Sequence, residues 1–198
     1  MKTPQDFRRE NIKQLFNKVL GEQKITLTPV NLSISEDAAA SFTKVSFSFD
    51  LAEGEKNVNY SFSEIKGKGF VDAIFSTCYD ALIGEFVSLK NIALVDLIVK
   101  PIFSMSQKGT GTDAKTDISF RLEIKNYGIS EFTVRSSSII RASFQAILEA
   151  FQFYINCEKA FNRLMPGLAD AKKRHRGDVE QEIVSQLAEL TTMNSYVR

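Results

Sequence analysis

The stretch Ile65-Lys66-Gly67-Lys68-Gly69-Phe70-Val71-Asp72-Ala73-Ile74-Phe75 marks the point at which a strand turns into a helix. Before it, apolar and small polar residues alternate over residues 58–63, which is the period of a strand with one wet face. After it, apolar residues recur every three or four positions as far as Leu82, which is the period of an amphipathic helix. Because the first N–H groups of a helix have no partner within it, the glycine turn and the helix start together predict a small anion site.

The same helix pattern occurs twice in the chain. Ala73, Phe75, Asp80, Ala81 and Leu82 recur 69 positions later as Ala142, Phe144, Glu149, Ala150 and Phe151. Three segments with strand period precede each helix, so both halves have the order strand, strand, strand, helix. Two copies are too few for a solenoid and indicate a pseudo-symmetric pair that shares one core. The predicted fold class is therefore α+β: two pseudo-symmetric βββα units forming one domain, with extra N- and C-terminal helices.

The patterns around the repeat divide the chain into three regions. These are an N-terminal helix over residues 1–22, the double βββα region over residues 23–165 and a C-terminal helical extension with a frayed end over residues 166–198. The motif Met165-Pro166-Gly167 predicts the end of the repeat region. Residues 92–103 are apolar on both faces, which predicts an inner strand of a sheet.

Composition and charge argue against several classes of function. The chain has 198 residues and a net charge of +1, so it carries no overall field for nucleic acid or an anionic membrane. No apolar run reaches the length of a membrane span, and the beginning lacks the apolar core of a signal peptide. Cys78 and Cys157 fall on apolar helix faces, and two buried thiols are typical of a reducing cytoplasm. We therefore predict a cytoplasmic location, no membrane and no nucleic-acid partner.

The residue types that usually carry catalysis are sparse. The single histidine, His175, lies in the basic run 172–176, for which a solvated helix end is the simpler interpretation and a nucleic-acid contact the alternative. Cys78 and Cys157 are far apart in sequence and have no neighbouring ligand, so no metal site is predicted. The sequence contains neither a phosphate-binding or dinucleotide-binding glycine motif nor a nucleophile elbow. These features predict a chain that is not an enzyme and that needs no cofactor.

Three motifs follow one another along the chain: Gly67-Lys68-Gly69-Phe70-Val71-Asp72-Ala73, Gly111-Thr112-Asp113-Ala114 with the strand after it, and Ile139-Ile140-Arg141-Ala142-Ser143. Their order and spacing, over residues 25–163, resemble the C-terminal regulatory domain of 2-isopropylmalate synthase. The resemblance implies a pair of βββα units that forms a homodimer and binds leucine, the end product that inhibits a separate catalytic barrel. The related citramalate synthase uses a similar domain for isoleucine. Since the barrel is missing from this sequence, the resemblance implies a non-catalytic regulatory module with a synthase as a possible partner.

The resemblance also implies a site for a branched-chain amino acid. The residues that match the ligand-binding positions are Gly67, Gly69, Phe70, Val71, Asp72, Leu94, Leu97 and Ala114. Backbone N–H groups from Gly69 to Asp72 would hold the carboxylate, and Leu94 with Leu97 would hold the aliphatic side chain. The alternative at this point is that Val71, Leu94 and Leu97 belong to the core and that the glycines only form turns.

The sequence departs from the family at three places, all beside glycine turns. These are Phe70 in place of proline, Phe132, Val134 and Ser138 in place of glycines and an aspartate, and a longer loop over residues 104–111. We expect the Phe70 ring to point inwards, because Leu94 and Leu97 offer it an apolar wall. An inward ring would fill the place of the aliphatic ligand. The departures thus support a second hypothesis, in which the module has lost its ligand and is a dimerising interaction scaffold for a partner protein.

Overall fold

Two three-stranded antiparallel sheets, each followed by a helix, form the body of the protein. The computed structural model of the chain describes residues 4–36, 39, 41–101 and 115–196. Its elements are α1 (Pro4–Leu20), β1 (Ile25–Glu36), β2 (Thr43–Glu53), β3 (Lys56–Gly67), α2 (Phe70–Leu82), β4 (Ile92–Pro101), β5 (Thr116–Ile124), β6 (Gly128–Ser136), α3 (Ile139–Lys173) and α4 (Gly177–Thr191). Short 3-10 helices occupy Gly21–Gln23 and Val87–Asn91. The predicted fold class, α+β with two βββα units and terminal helices, is confirmed.

Strand order follows chain order in both halves. One sheet has the order β1-β2-β3 and the other the order β4-β5-β6, and every pairing is antiparallel. Helices α2 and α3 begin at Phe70 and Ile139, so the structural repeat has the same offset as the sequence repeat. The two halves differ in their helices, because α3 is 35 residues long and α2 only 13.

Aromatic contacts join the two halves into one core. The ring of Phe75 on α2 stacks on Phe151 of α3 with centroids 5.2 Å apart, and it lies 5.8 Å from Phe120 of β5. Phe47 of β2 meets Phe144 of α3 edge to face at 5.4 Å. Such pairs add to the free energy of burial beyond the area that they cover. The long helix therefore links both sheets to α2.

Two polar side chains of α3 cover the beginning of the β1 edge. Asn156 is fully buried; its Oδ1 accepts the N–H of Ile25 at 2.8 Å, and its Nδ2 donates to the carbonyl of Ile25 at 2.8 Å. One turn earlier, Oε1 of Gln152 accepts the N–H of Leu27 at 2.8 Å. Because an unpaired strand edge can recruit another chain, these bonds close this part of the edge.

The segment predicted as an inner strand is an edge strand. Within the described residues β4 pairs with β5 alone, from Ile92 to Pro101. Its apolar residues are not all covered, since Val95 is 51% and Val99 40% exposed. The prediction of an inner strand is therefore wrong: apolar residues on both faces here leave an exposed apolar surface.

Helix α3 continues through the motif that was predicted to end the repeat region. It contains Pro166 and runs on to Lys173. A proline lacks the N–H that would bond the carbonyl of Asn162, and this position is exposed, so water can satisfy the carbonyl. Helix α4 packs along the extension and buries Leu187 and Leu190. The last helix of the repeat, α3, thus continues into the C-terminal extension.

The last described residues are fixed to the body of the protein. Asn194 is fully buried; its Nδ2 donates to the carbonyl of Ser88 at 2.9 Å, and its Oδ1 accepts from Nδ2 of Asn91 at 3.1 Å. The ring of Tyr196 lies 5.3 Å from that of Phe161. The prediction of a frayed end is therefore wrong as far as Tyr196.

Candidate functional site

The predicted anion site lies between the end of β3 and the first turn of α2. Gly69 is the N-cap residue of α2, in an extended conformation with φ −155°. The first N–H bonded within the helix belongs to Ala73, which donates to the carbonyl of Gly69 at 3.1 Å. No side chain in the described part of the chain caps this helix. The N–H groups of residues 70–72 are therefore the donors that a carboxylate would meet.

The equivalent start of α3 is closed by its own chain. Oγ of Ser138 accepts the N–H of Arg141 at 3.3 Å, and the N–H of Ser138 donates to Oγ of Ser136 at 3.1 Å. A serine at this position satisfies one of the unpaired donors of the first turn. The two equivalent helix starts thus differ, and that of α2 is the one open to an external acceptor.

The two glycines of the turn have different structural roles. A Cβ added to Gly67 would lie 2.7 Å from Cβ of Ala73 and 3.1 Å from the carbonyl oxygen of Gly69. A Cβ added to Gly69 would meet nothing within 4 Å among the described atoms. Gly67 therefore allows β3 and α2 to approach each other closely, whereas Gly69 faces open space beside the N–H groups of the first turn.

We expect Gly67→Ala to lower the free energy of unfolding by about 1–2 kcal/mol, because the new methyl group would overlap Ala73 and force the backbone to shift. Chemical denaturation measures this loss. Gly69→Ala is the matched control and should stay within about 0.5 kcal/mol of the parent, since its methyl group would enter open space. Equal losses in the two variants would contradict the close approach assigned to Gly67.

Charged residues of both signs flank the helix start. Lys66 and Lys68 are exposed, and Nζ of Lys66 lies 4.9 Å from the ring centroid of Phe42. Asp72 is exposed in the first turn of α2. Two ammonium groups and one carboxylate therefore surround the unbonded N–H groups of the first turn.

Phe70 and Val71 are partly buried, and both side chains pack against the core. This packing follows from the position of the residues, since side chains in the first turn of a helix point back towards the N-terminus and onto the structure beneath it. That the Phe70 ring lies against Leu94 and Leu97 and fills the place of the ligand stays a prediction.

Leu94 and Leu97 lie on β4, in the second sheet. A bulge between Leu94 and Asp96 brings both leucines to one face, where they stand opposite Leu122 and Phe120. These two partners are buried, and the leucines themselves are partly buried against the core. Each leucine side chain therefore lies partly in the core, as the alternative interpretation predicts, and partly at the surface, where it is accessible.

The structure describes seven of the eight residues predicted for the ligand site, and these seven form two groups. The first group is one continuous turn made of Gly67, Gly69, Phe70, Val71 and Asp72. Leu94 and Leu97 form the second group, on the other sheet. The main contacts of α2 are with β2, β3 and α3, whereas those of β4 are with β5. Ala114 lies outside the described residues.

Two grooves that the sequence does not predict lie between β1 and α3. One, of about 470 Å³, lies between α1, the middle of β1 and α3. The other, of about 310 Å³ and here called the β1–α3 groove, is lined by Pro29, Val30, Asn31, Leu32, Ser138, Ile140, Arg141 and Phe144. None of the eight predicted residues lines either groove. A hint was available in the sequence, because α3 begins with two consecutive isoleucines; in the structure both are exposed, Ile139 to 43% and Ile140 to 44%.

The described side chains that could act as nucleophiles are poorly placed for it. Cys78 and Cys157 are free and buried, and burial raises the pKa of both thiols far above the ordinary value. Burial also raises the pKa of the Tyr154 phenol. His175 is exposed in a left-handed turn after α3. Within the described ranges, no group of three or more His, Cys, Asp or Glu is arranged to hold a metal ion.

No protein-family model matches the sequence, and no curated protein matches it. None of the helices that the structure describes is long and apolar enough to cross a membrane. The resemblance to a regulatory domain therefore depends on the three motifs in the sequence.

Proposed function

We propose that this chain is a non-catalytic, homodimeric regulatory module similar to the allosteric domain of 2-isopropylmalate synthase, and that it binds a branched-chain amino acid such as leucine. The observation that carries the proposal is the start of α2, where Gly69 faces open space beside the N–H groups of the first turn. Two βββα units in one domain, the arrangement that the resemblance implies, support it.

The ligand would be held by both of its charges. Its carboxylate accepts from the N–H groups of residues 70–72, where the helix dipole and Lys68 add positive potential. Its ammonium group lies against the exposed carboxylate of Asp72. The partly buried Leu94 and Leu97 would supply the apolar wall for its side chain if the two halves approach on binding.

The module would regulate rather than catalyse. Its two thiols are buried with raised pKa, and its histidine is exposed on a turn, so these groups suit structure better than nucleophilic chemistry. A synthase that carries the catalytic barrel is therefore the expected partner in the cytoplasm. The amino acid acts on that partner only if it binds two states of the assembly with different affinity.

Calorimetric titration and thermal unfolding with leucine, isoleucine and valine test the proposal. We expect one of them to bind, and at 100 times its Kd it should raise the stability by about 2.7 kcal/mol. Gly69→Asp should abolish the effect, because its carboxylate would cap the N–H groups that the ligand needs. The same substitution should not destabilise the free protein, since aspartate is at least as good an N-cap as glycine.

Gly69→Ala is the matched control, because its methyl group occupies the same space without an acceptor and should leave binding nearly intact. Leucine amide lacks the carboxylate and should not bind. An absence of heat and of a thermal shift with all three amino acids at millimolar concentration would refute ligand binding. Binding to Gly69→Asp as tight as to the parent would place the ligand elsewhere.

A second candidate function is a ligand-free, dimerising interaction scaffold for a partner protein. The position of Phe70 favours it, since its ring packs against the core next to the helix start. Exposed apolar residues such as Val95 and Val99 on β4 offer surface for a protein partner. On this hypothesis the protein binds no amino acid, and a pull-down recovers a protein partner such as a synthase.

The variant Phe70→Pro distinguishes the two candidates. We expect it to lower the free energy of unfolding by about 1–2 kcal/mol, because it removes a partly buried ring, while proline itself suits the first helical position. Proline also removes the N–H of residue 70, so the N–H groups of residues 71 and 72 would hold the carboxylate. If the ring occupies the ligand's place, the variant should still gain or strengthen leucine binding in the calorimeter. A variant as stable as the parent, with an unchanged ligand profile, would show that the ring does not fill the site.

A further inference from the structure

The second half of the β1 edge is not covered by α3. The bonds from Gln152 and Asn156 end at Leu27, and Pro29 has no N–H to offer. After a bulge between Pro29 and Asn31 the strand continues to Glu36. Helix α3 begins at Ile139, so only the side chains of its first turns lie near this part of the edge.

Backbone donors and acceptors of β1 point to this open edge. Leu32 and Ile34 stand opposite Phe47 and Val45 of β2, so their side chains lie on the inner face of the sheet, like that of Leu27. Residues on one face of a strand direct their N–H and C=O groups to the same side. Because the N–H of Leu27 points away from β2 towards α3, those of Leu32 and Ile34 also point away from β2.

The β1–α3 groove lies under this edge on the inner face. Ile140 and Phe144 form its apolar floor, and Ile140 is 44% exposed. The exposed Arg141 stands at its rim. In a strand added to this edge, every second side chain would point into the groove. One of these side chains would meet the apolar floor, and the next on the same face would meet the guanidinium group of Arg141.

We propose that the occupant is β1 of a second copy of this chain, paired antiparallel about a two-fold axis at Ser33. Leu32 then pairs with Ile34 of the partner subunit, and each such pair exchanges both N–H···O bonds. The side chain of the partner's Ile34 enters the groove above Phe144. The result is one continuous six-stranded sheet across the dimer, a form of strand addition. The proposal rests on the homodimer proposed above and names its interface.

Charge complementarity selects both the partner and the register. With Ser33 at the axis, Glu36 of the partner subunit stands opposite Val30, and the rim residue there is Arg141. Symmetry repeats this contact at the other end of the interface. A shift of the axis to Leu32 would bring the partner's Glu36 opposite Thr28, where Glu149 lines the neighbouring groove. Of these two registers, only the first brings Glu36 of the partner subunit to a cation.

Disulfide trapping tests the geometry directly. At the axis, Ser33 faces its own copy in a non-hydrogen-bonded pair, whose Cα atoms are about 4.5 Å apart, within the range that a disulfide spans. We expect Ser33→Cys to form a covalent dimer under mild oxidation. Ser61→Cys, an exposed residue of β3, is the matched control and should stay monomeric on a non-reducing gel. The native cysteines are buried and should not interfere.

Charge reversal tests the register with the full, unmodified chain as reference. Arg141→Glu should weaken the dimer on the order of tenfold by light scattering or sedimentation, because like charges then meet at both ends of the interface. Glu36→Arg should do the same. The double variant should recover the dimer, which a merely destabilising substitution would not do.

A wild-type dimer in which Ser33→Cys fails to cross-link, or in which the double variant is no better than either single one, would overturn this interface. A wild-type chain that is monomeric at micromolar concentration would overturn it as well. Leucine titration of the same samples separates the two proposals. A cross-linked dimer that binds no amino acid refutes ligand sensing but agrees with the interface. A monomer that binds leucine refutes the interface but agrees with ligand sensing.

Discussion

Replacing Asn156 by leucine is expected to lower the free energy of unfolding by about 3–4 kcal/mol, although the substitution keeps the branched shape of the side chain and makes the helix more apolar. The reason is the buried edge of β1. Without the amide of Asn156, both the N–H and the carbonyl of Ile25 lose their partner, and Ile25 is itself fully buried. An unsatisfied buried backbone group costs about 1–3 kcal/mol. Urea denaturation monitored by circular dichroism measures the loss.

Two variants of the same helix serve as controls for Asn156→Leu. Gln152→Leu removes one bond, to the N–H of Leu27, at a position that is only partly buried, and should cost about 1 kcal/mol. Asn162→Leu makes the same chemical change at an exposed position and should be neutral within about 0.5 kcal/mol. Equal effects at positions 156 and 162 would show that the edge of β1 does not need the amide.

The strands and the doubled order of elements could be predicted because they follow from local periodicity. Val45, Phe47 and Phe49 alternate with polar residues, and all three are buried on one face of β2. The start of α2 at Phe70 and that of α3 after Ser138 also follow from local signals, the glycine turn and the serine cap. Such features need no knowledge of distant parts of the chain.

The roles of Gln152 and Asn156 could not be predicted, because they depend on where a distant strand lies. On a helix, two polar residues four positions apart usually mark the solvent side. Here they satisfy the edge of β1, which precedes them by more than a hundred residues. The position of β4 was missed for the same reason: apolar residues on both faces are typical of an inner strand, but only the sheet topology decides which strand is at the edge.

The candidate site also has a part that could be predicted from local sequence and a part that could not. The turn from Gly67 to Asp72 is local and could be found from its glycines and the helix period that follows. Its relation to Leu94 and Leu97 depends on how the two sheets are placed, which no spacing in the sequence encodes. The close approach at Gly67 likewise needed the structure, since a glycine in a turn usually indicates only a backbone conformation.

The second large effect is expected at Glu158, a buried residue of α3. Its carboxylate accepts two backbone N–H groups at the start of the 3-10 helix Val87–Asn91: Oε1 from Val87 at 3.1 Å and Oε2 from Ser88 at 2.8 Å. A carboxylate at a helix start satisfies donors that would otherwise lack a partner. The same short helix receives the C-terminal segment, because the carbonyl of Ser88 accepts from Asn194. Glu158 therefore holds the 3-10 helix directly and the C-terminal segment through that helix.

We expect Glu158→Ala to lower the free energy of unfolding by about 3 kcal/mol, because it leaves two N–H groups without an acceptor and removes a buried side chain. Glu158→Gln should lose less, since its amide oxygen can still accept one of the two bonds. Ser88→Ala keeps the backbone N–H and should be nearly neutral, because the hydroxyl of Ser88 has no partner among the described residues.

Hydrogen exchange gives a local readout: the amides of Val87 and Ser88 should lose protection in Glu158→Ala, and so should the segment around Asn194. Faster exchange at Ser88 with Asn194 unchanged would show that the C-terminal segment is held independently of the carboxylate.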